Sequence, residues 1–307
     1  MSWLIFLKKN SMFKKTTLKN GLKIIAVSQK NTQAVTVLAL VRTGSKYETE
    51  KTKGISHFLE HLYFKGTEKR PSYLSVAEVL DKLGGIYNAF TSEEYTGYYA
   101  KVAVSRFRTA LDWVSDIYLN SLLPEKEVEK ERGVIIEEIN MYLDTPMLYI
   151  EEIWKNLLYG NQPAGWDIAG TKETVSKITR KQILDYMKSQ YSASNTIVCI
   201  AGNIPSSQII NQAKDYFSKI SENQPKPKPP VVESQEKPKT LLFFKKTDQT
   251  HLALGVRAFN LFHPQRFALE VLGIILGGMM SSRLFIEVRE KLGLAYYVKT
   301  EAECDPD

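Results

Sequence analysis

Cysteine is nearly missing from this chain of 307 residues: Cys199 and Cys304 are the only two. Two cysteines cannot build a disulfide framework in a chain this long, which excludes a small secreted scaffold. Cys199 lies in the apolar run "TIVCIAG" and is expected to pack as a small buried hydrophobe. Long hydrophobic runs are missing too. The opening "MSWLIFLKKN" holds five consecutive apolar residues and then two lysines. That is the wrong order and length for a secretory leader, and no stretch approaches the roughly 20 apolar residues of a membrane span. The expectation is a cytoplasmic protein without a membrane partner, with residues 1–11 an N-terminal extension before a natural start at Met12.

Acid is absent from the first 30 residues, which carry seven lysines. These seven account for the whole difference between 41 basic and 34 acidic residues, so the net charge of +7 belongs to one end and the body is neutral. A nucleic-acid binder would gather its charge on a folded face with interleaved aromatics, and no such pattern occurs. The basic start reads as a solvated strand and tail. What remains is globular in composition, 43% hydrophobic and 24% charged with mean hydropathy −0.25, and long enough for two domains.

Residues 221–239, "SENQPKPKPPVVESQEKPK", are rich in proline and lysine and read as a stiff, solvated linker, partly polyproline II. Before it, "LKIIAVS" and "AVTVLALVR" read as strands, and "YNAFTSEEYTGYYAKV" as a hairpin around a polar turn. "SVAEVLDKLGG" reads as a helix opened by a Ser75–Glu78 capping box and closed at Gly84-Gly85. Helical patterns follow at 105–120 and 125–142, then a helix from Thr179 with a capping box to Gln182, then the strand "NTIVCIAG". Mixed elements with hairpin-like pairs predict an α+β fold, a mostly antiparallel sheet with helices on one face.

The chain also repeats itself. "VLDKLGGIY" (79–87) returns as "VREKLGLAY" (288–296), and "LAL" at 38–40 returns at 252–254 as a second extended run. Both pairs keep their order at nearly the same offset, which predicts a duplicated domain. The division expected is a first domain at 12–220, the linker at 221–239, and the start of a second, incomplete copy at 240–307. On that reading the sequence is a fragment of a longer protein.

Histidine is the last scarcity, with four in all, yet two sit one helical turn apart in "GISHFLEHLYFKGTEKRP". Residues i and i+4 share a helix face, so His57 and His61 can present two imidazoles to one ion, with Glu60 beside them. Zinc suits such ligands, but a catalytic site normally takes three protein ligands and a water. His251 and His263 look like ordinary polar positions, which leaves a carboxylate. The segment "EKEVEKERGVIIEEINMY" offers Glu131 and Glu138, seven apart on one face, while Glu125, Glu127 and Glu129 read as a solvated face. A carboxylate within the more apolar "GVIIEEI" needs a partner such as a metal or an imidazole.

H-x-x-E-H is the inverted zinc-peptidase motif. The wider pattern resembles the pitrilysin–insulinase family of zinc metallopeptidases, in particular the branch with mitochondrial processing peptidase and its short bacterial relatives. In that family a glutamate follows the second histidine after 76 intervening residues, the place of Glu138, with a supporting glutamate seven residues earlier, the place of Glu131. The likeness extends over "GGIYNAFTSEEYTGYYAKV", "YGNQPAGWDIAGT" and "VREKLGLAYYV". Gln162 departs from it, standing where many relatives have histidine.

The resemblance implies an endopeptidase acting on peptides or unfolded protein segments, with one Zn²⁺ per chain held by His57, His61 and Glu138. Zinc there would lower the pKa of a water, for which Glu60 would be the general base. Glu131 would support a ligand imidazole. Asn88, Ala89 and Phe90 match the family's edge strand, to which an extended substrate adds. Arg289 and Tyr296 match its Arg/Tyr pair, placed to stabilise an oxyanion; the bland reading is a surface arginine and a core tyrosine. Two rivals stand beside the enzyme: a non-catalytic partner subunit of a processing-peptidase-like complex, and a metal-binding module with no use for Glu60. Since both residue sets occur in one chain, self-sufficiency or a homodimer is expected.

Overall fold

The computed structural model describes residues 13–307, so the expected extension at 1–11 lies outside the described residues. The chain divides into two compact units at His251/Leu252.

The first unit is built on a six-stranded sheet of β1 (Lys14–Thr17), β2 (Lys23–Ser28), β3 (Ala34–Val41), β4 (Ile86–Thr91), β5 (Thr96–Ala103) and β6 (Thr196–Gly202). Their order is β1-β2-β6-β3-β5-β4, with every neighbour antiparallel except the parallel pair β2 and β6. Alternation in the sequence sets which face is covered. Val35, Val37, Ala39 and Val41 are buried on one side of β3, while the residues between them are half-buried on the other. The same period puts Val198 and Ile200 of β6 inside and leaves Cys199 on the half-buried face, so the expected burial of that cysteine is only partial.

Between β3 and β4 run α1 (Ile55–Leu62) and α2 (Tyr73–Asp81). After β5 come α3 (Phe107–Asn120), α4 (Glu125–Leu143), α5 (Pro146–Tyr159), α6 (Lys172–Lys177) and α7 (Arg180–Gln190); α8 (Ser206–Tyr216) follows β6. The cap of α2 is one turn earlier than expected: Ser72 accepts from the Ser75 N–H, and Ser75 answers the Ser72 N–H. The Ser75 hydroxyl stands in for the usual glutamate of the box, and the upstream serine sits where the chain is still extended. The expected Thr179–Gln182 box opens α7. Helix α3 fills the core with Trp113, Val114 and Ile117, and the Trp113 indole donates to the Val76 carbonyl.

Residues 221–239 form neither helix nor strand, but they are not a free tether. The Gln162 amide donates to the Val232 carbonyl at 2.9 Å and accepts from the Val232 N–H at 2.8 Å, and Lys228 meets Glu94 at 2.6 Å. The glutamine that departs from the family pattern thus clamps the proline-rich segment.

In the second unit α9 (Arg266–Gly273) leads into two π-helical turns, Ile274–Gly278 and Phe285–Lys291. The expected extended run at 252–254 is not a strand. A strand exists only with a hydrogen-bonded neighbour, no strand occurs among the described residues of this unit, and Leu252 and Leu254 stay exposed.

Candidate metal centre

Helix α1 sorts its own residues. Ile55, Phe58, Leu59 and Leu62 recur at helical spacing and face the core, which turns His57 and His61 to the side where α4 packs. On α4, Val128, Ile135 and Ile139 bury one stripe, and Glu131 and Glu138 stand on the turns that meet α1.

The three expected ligands converge. Glu138 Oε2 lies 3.6 Å from His57 Nε2 and 3.5 Å from His61 Nε2, and the two Nε2 atoms lie 3.3 Å apart. Four-coordinate zinc with bonds of about 2.0–2.1 Å holds its ligand atoms about 3.3–3.4 Å apart, so this triangle has the size and the donor chemistry that zinc takes. Among the described residues it is the one group of this kind.

The surroundings aim these donors. Glu131, 3% exposed, lies with Oε2 3.3 Å from His61 Nδ1, and its Oε1 is met by Lys65 Nζ at 2.6 Å. A carboxylate accepting from Nδ1–H leaves the Nε2 lone pair for the centre. Burial works against ionising Glu131, but the bonds from His61 and Lys65 hold its pKa below the usual carboxylate range. Glu60 receives the Thr91 hydroxyl on Oε2 at 2.5 Å, and burial raises its pKa against that bond.

Without metal the two imidazoles differ. Burial, with the charge of His61 added, pushes His57 down to about 4. Burial also opposes charge on His61, but hydrogen bonds to Glu131 and Glu138 overcome it and lift His61 to about 9.

Glu48 escaped the sequence reading. It is buried, accepts from the Gly54 N–H at 2.7 Å and the Ser56 N–H at 2.8 Å, and burial pushes it up to about 7. No capping pattern reaches six residues upstream, so nothing in the sequence pointed to it. Gly54 itself has φ +90°, and a Cβ there would stand 2.4 Å from the Ala169 carbonyl oxygen, so only glycine fits. A cavity of about 490 Å³ was equally unforeseen. Tyr142, one turn beyond Glu138, lines it with Glu152, Trp166 and Asp167. Burial, reinforced by Asp167, pushes Glu152 up to about 7.

Asn88, Ala89 and Phe90 lie on β4, which the strand order places at the sheet edge, and the last residue of β4 is the Thr91 that meets Glu60. Asn88 Oδ1 accepts from the Ala89 N–H at 2.9 Å. Phe90 lays its ring over Gly97 of β5, where a Cβ would stand 2.3 Å from the ring. In the second unit the Arg289 guanidinium lies 5.1 Å from the centre of the Tyr296 ring, so the two residues meet each other.

Residues 23–172 match the family model "Insulinase (Peptidase family M16)", and residues 177–307 match "Peptidase M16 inactive domain". The chain is 39% identical over 288 residues to the uncharacterized zinc protease YmxG of Bacillus subtilis, covering 94% of this chain and 69% of that protein. It belongs to peptidase family M16, the insulinase family. Among solved structures, a protease from Helicobacter pylori superposes with a TM-score of 0.83 at 25% identity, covering 96% of this chain and 72% of that one. An M16 inactive domain from Pseudomonas fluorescens superposes at 0.78 with 17% identity over 95% of this chain and 71% of that one, a likeness of fold alone. The α+β architecture of this M16 chain is therefore that of the family's domain pair, in line with the internal repeat.

Proposed function

We propose that this M16 chain is a zinc metalloendopeptidase that hydrolyses peptides or unfolded protein segments. The observation that carries the reading is the triangle of His57 Nε2, His61 Nε2 and Glu138 Oε2, with Glu60 on the same helix as both imidazoles. Zinc bound there supplies a Lewis acid that polarises a carbonyl and acidifies water. Glu131 fixes the His61 tautomer, and Lys65 keeps Glu131 ionised. Glu60 takes the proton of the attacking water and hands it to the leaving amine, a transfer that suits a carboxylate whose pKa burial has raised toward neutrality. An extended substrate adds to the β4 edge by main-chain hydrogen bonds, in a manner largely blind to side chains.

The test uses protein expressed from its native reading frame, with zinc content and cleavage of a quenched fluorescent peptide compared for wild type and Glu60→Gln. One zinc per chain in both, with cleavage lost by about 100-fold or more in the variant, is the expected result. Equal cleavage by the two proteins would remove Glu60 from the mechanism, and a wild type that binds zinc without cleaving would remove the peptidase assignment.

A further inference from the structure

The first turn of an α-helix leaves N–H groups without intrahelical partners, and a Ser, Thr, Asp or Asn at the N-cap usually answers them. Helix α1, which carries His57, Glu60 and His61, has glycine at that position and no side-chain cap of its own. Glu48 takes over the role from six residues upstream. Its two carboxylate oxygens are divided between two donors, Oε2 to the Gly54 N–H at 2.7 Å and Oε1 to the Ser56 N–H at 2.8 Å. A two-point contact fixes rotation as well as position, and a negative group at a helix N-terminus is favoured by the helix dipole. A second tether acts at the same residue: the Ser56 hydroxyl lies 2.7 Å from the Tyr186 hydroxyl, which lies 2.7 Å from that of Thr43.

His57 follows Ser56 directly. Each residue turns an α-helix by about 100°, so a small error in the first turn swings both imidazoles away from α4. The triangle at the metal centre tolerates little of this, because its edges of 3.3 to 3.6 Å leave no slack for a displaced ligand. Glu48 is buried and lies outside the triangle.

We propose that Glu48 is a positioning residue of the metal centre, which holds the first turn of α1 by two main-chain N–H groups and so sets the rotation at which His57 and His61 meet Glu138. The proposal rests on the metal reading of that triangle. Its test is zinc affinity, measured against a competing chelator for the full chain as wild type, Glu48→Gln and Glu48→Asp. Circular dichroism and thermal unfolding of the metal-free forms are recorded alongside. Glutamine keeps the length but turns an NH₂ toward one of the two N–H groups; aspartate keeps the charge but falls one methylene short. Both variants are expected to fold without metal and to bind zinc about 10- to 100-fold more weakly than wild type. The visible bands of bound Co²⁺ should also shift in Glu48→Gln. Folded variants with wild-type zinc affinity and an unchanged Co²⁺ spectrum would overturn the proposal. Loss of folded protein in both variants would overturn it too, since Glu48 would then serve the fold at large. A wild-type chain that binds no zinc sinks the metal reading itself, an outcome distinct from equal binding by all three proteins.

Discussion

His61 places Nδ1 3.3 Å from Oε2 of the buried Glu131, on the ring edge opposite the metal triangle. The contact crosses 70 residues of sequence and joins α1 to α4 at the centre itself. Glu131→Gln keeps an acceptor but loses the charge that Lys65 and His61 share. Zinc affinity is expected to fall about 10- to 100-fold, as is typical when such a supporting partner is altered. A chelator-competition titration measures it, and wild-type affinity in the variant would mean that the contact plays no part in metal binding.

Thr91 aligns Glu60. Its hydroxyl donates to one oxygen at 2.5 Å and leaves the other free for a water proton. Hydrogen bonds to charged groups contribute about 1.5–3 kcal/mol, so Thr91→Val is expected to lower kcat about tenfold or more. Thr91→Ser, which restores the hydroxyl, should recover most of the loss. KM and zinc content should move little in either variant, and a valine variant with wild-type kcat would refute the alignment.

Metal binding should release a proton. In the metal-free chain His61 titrates at about 9, above its unfolded value of about 6.5, so near neutrality it is charged and must deprotonate to become a ligand. Zinc affinity should therefore fall about tenfold for each pH unit below about 9, with close to one proton released per zinc at pH 7. Calorimetry in two buffers of different ionisation enthalpy reads that proton directly. The sign for stability is the reverse. Because the folded pKa is raised, charged His61 stabilises the metal-free fold fully below about pH 6.5, and that contribution disappears as pH rises through about 9. The unfolding temperature of the metal-stripped chain should drop over that interval. Buried Glu48 titrates lower, at about 7, and leaves the upper end of the window to His61.

Much of the site could be read from local spacing. His57 and His61 share a face because α-helical geometry alone puts i and i+4 together, and Glu131 and Glu138 follow from the same rule at two turns. That the two faces belong to one site came from the resemblance to the insulinase family, since no local rule spans 77 positions. Glu48 and Thr91 were not legible at all. Each reaches its target by a side chain crossing a loop or a strand end, and such contacts follow no period.

The sequence by itself determined the strand alternation and the amphipathic face of α1, because each depends on neighbours a few residues away. Tertiary structure decided the rest: the placing of β4 at the sheet edge, the packing of α4 against α1 that closes the ligand triangle, and the carboxylate that starts the helix. These depend on which surfaces bury each other when the chain collapses, and burial is a property of the folded whole rather than of any short segment.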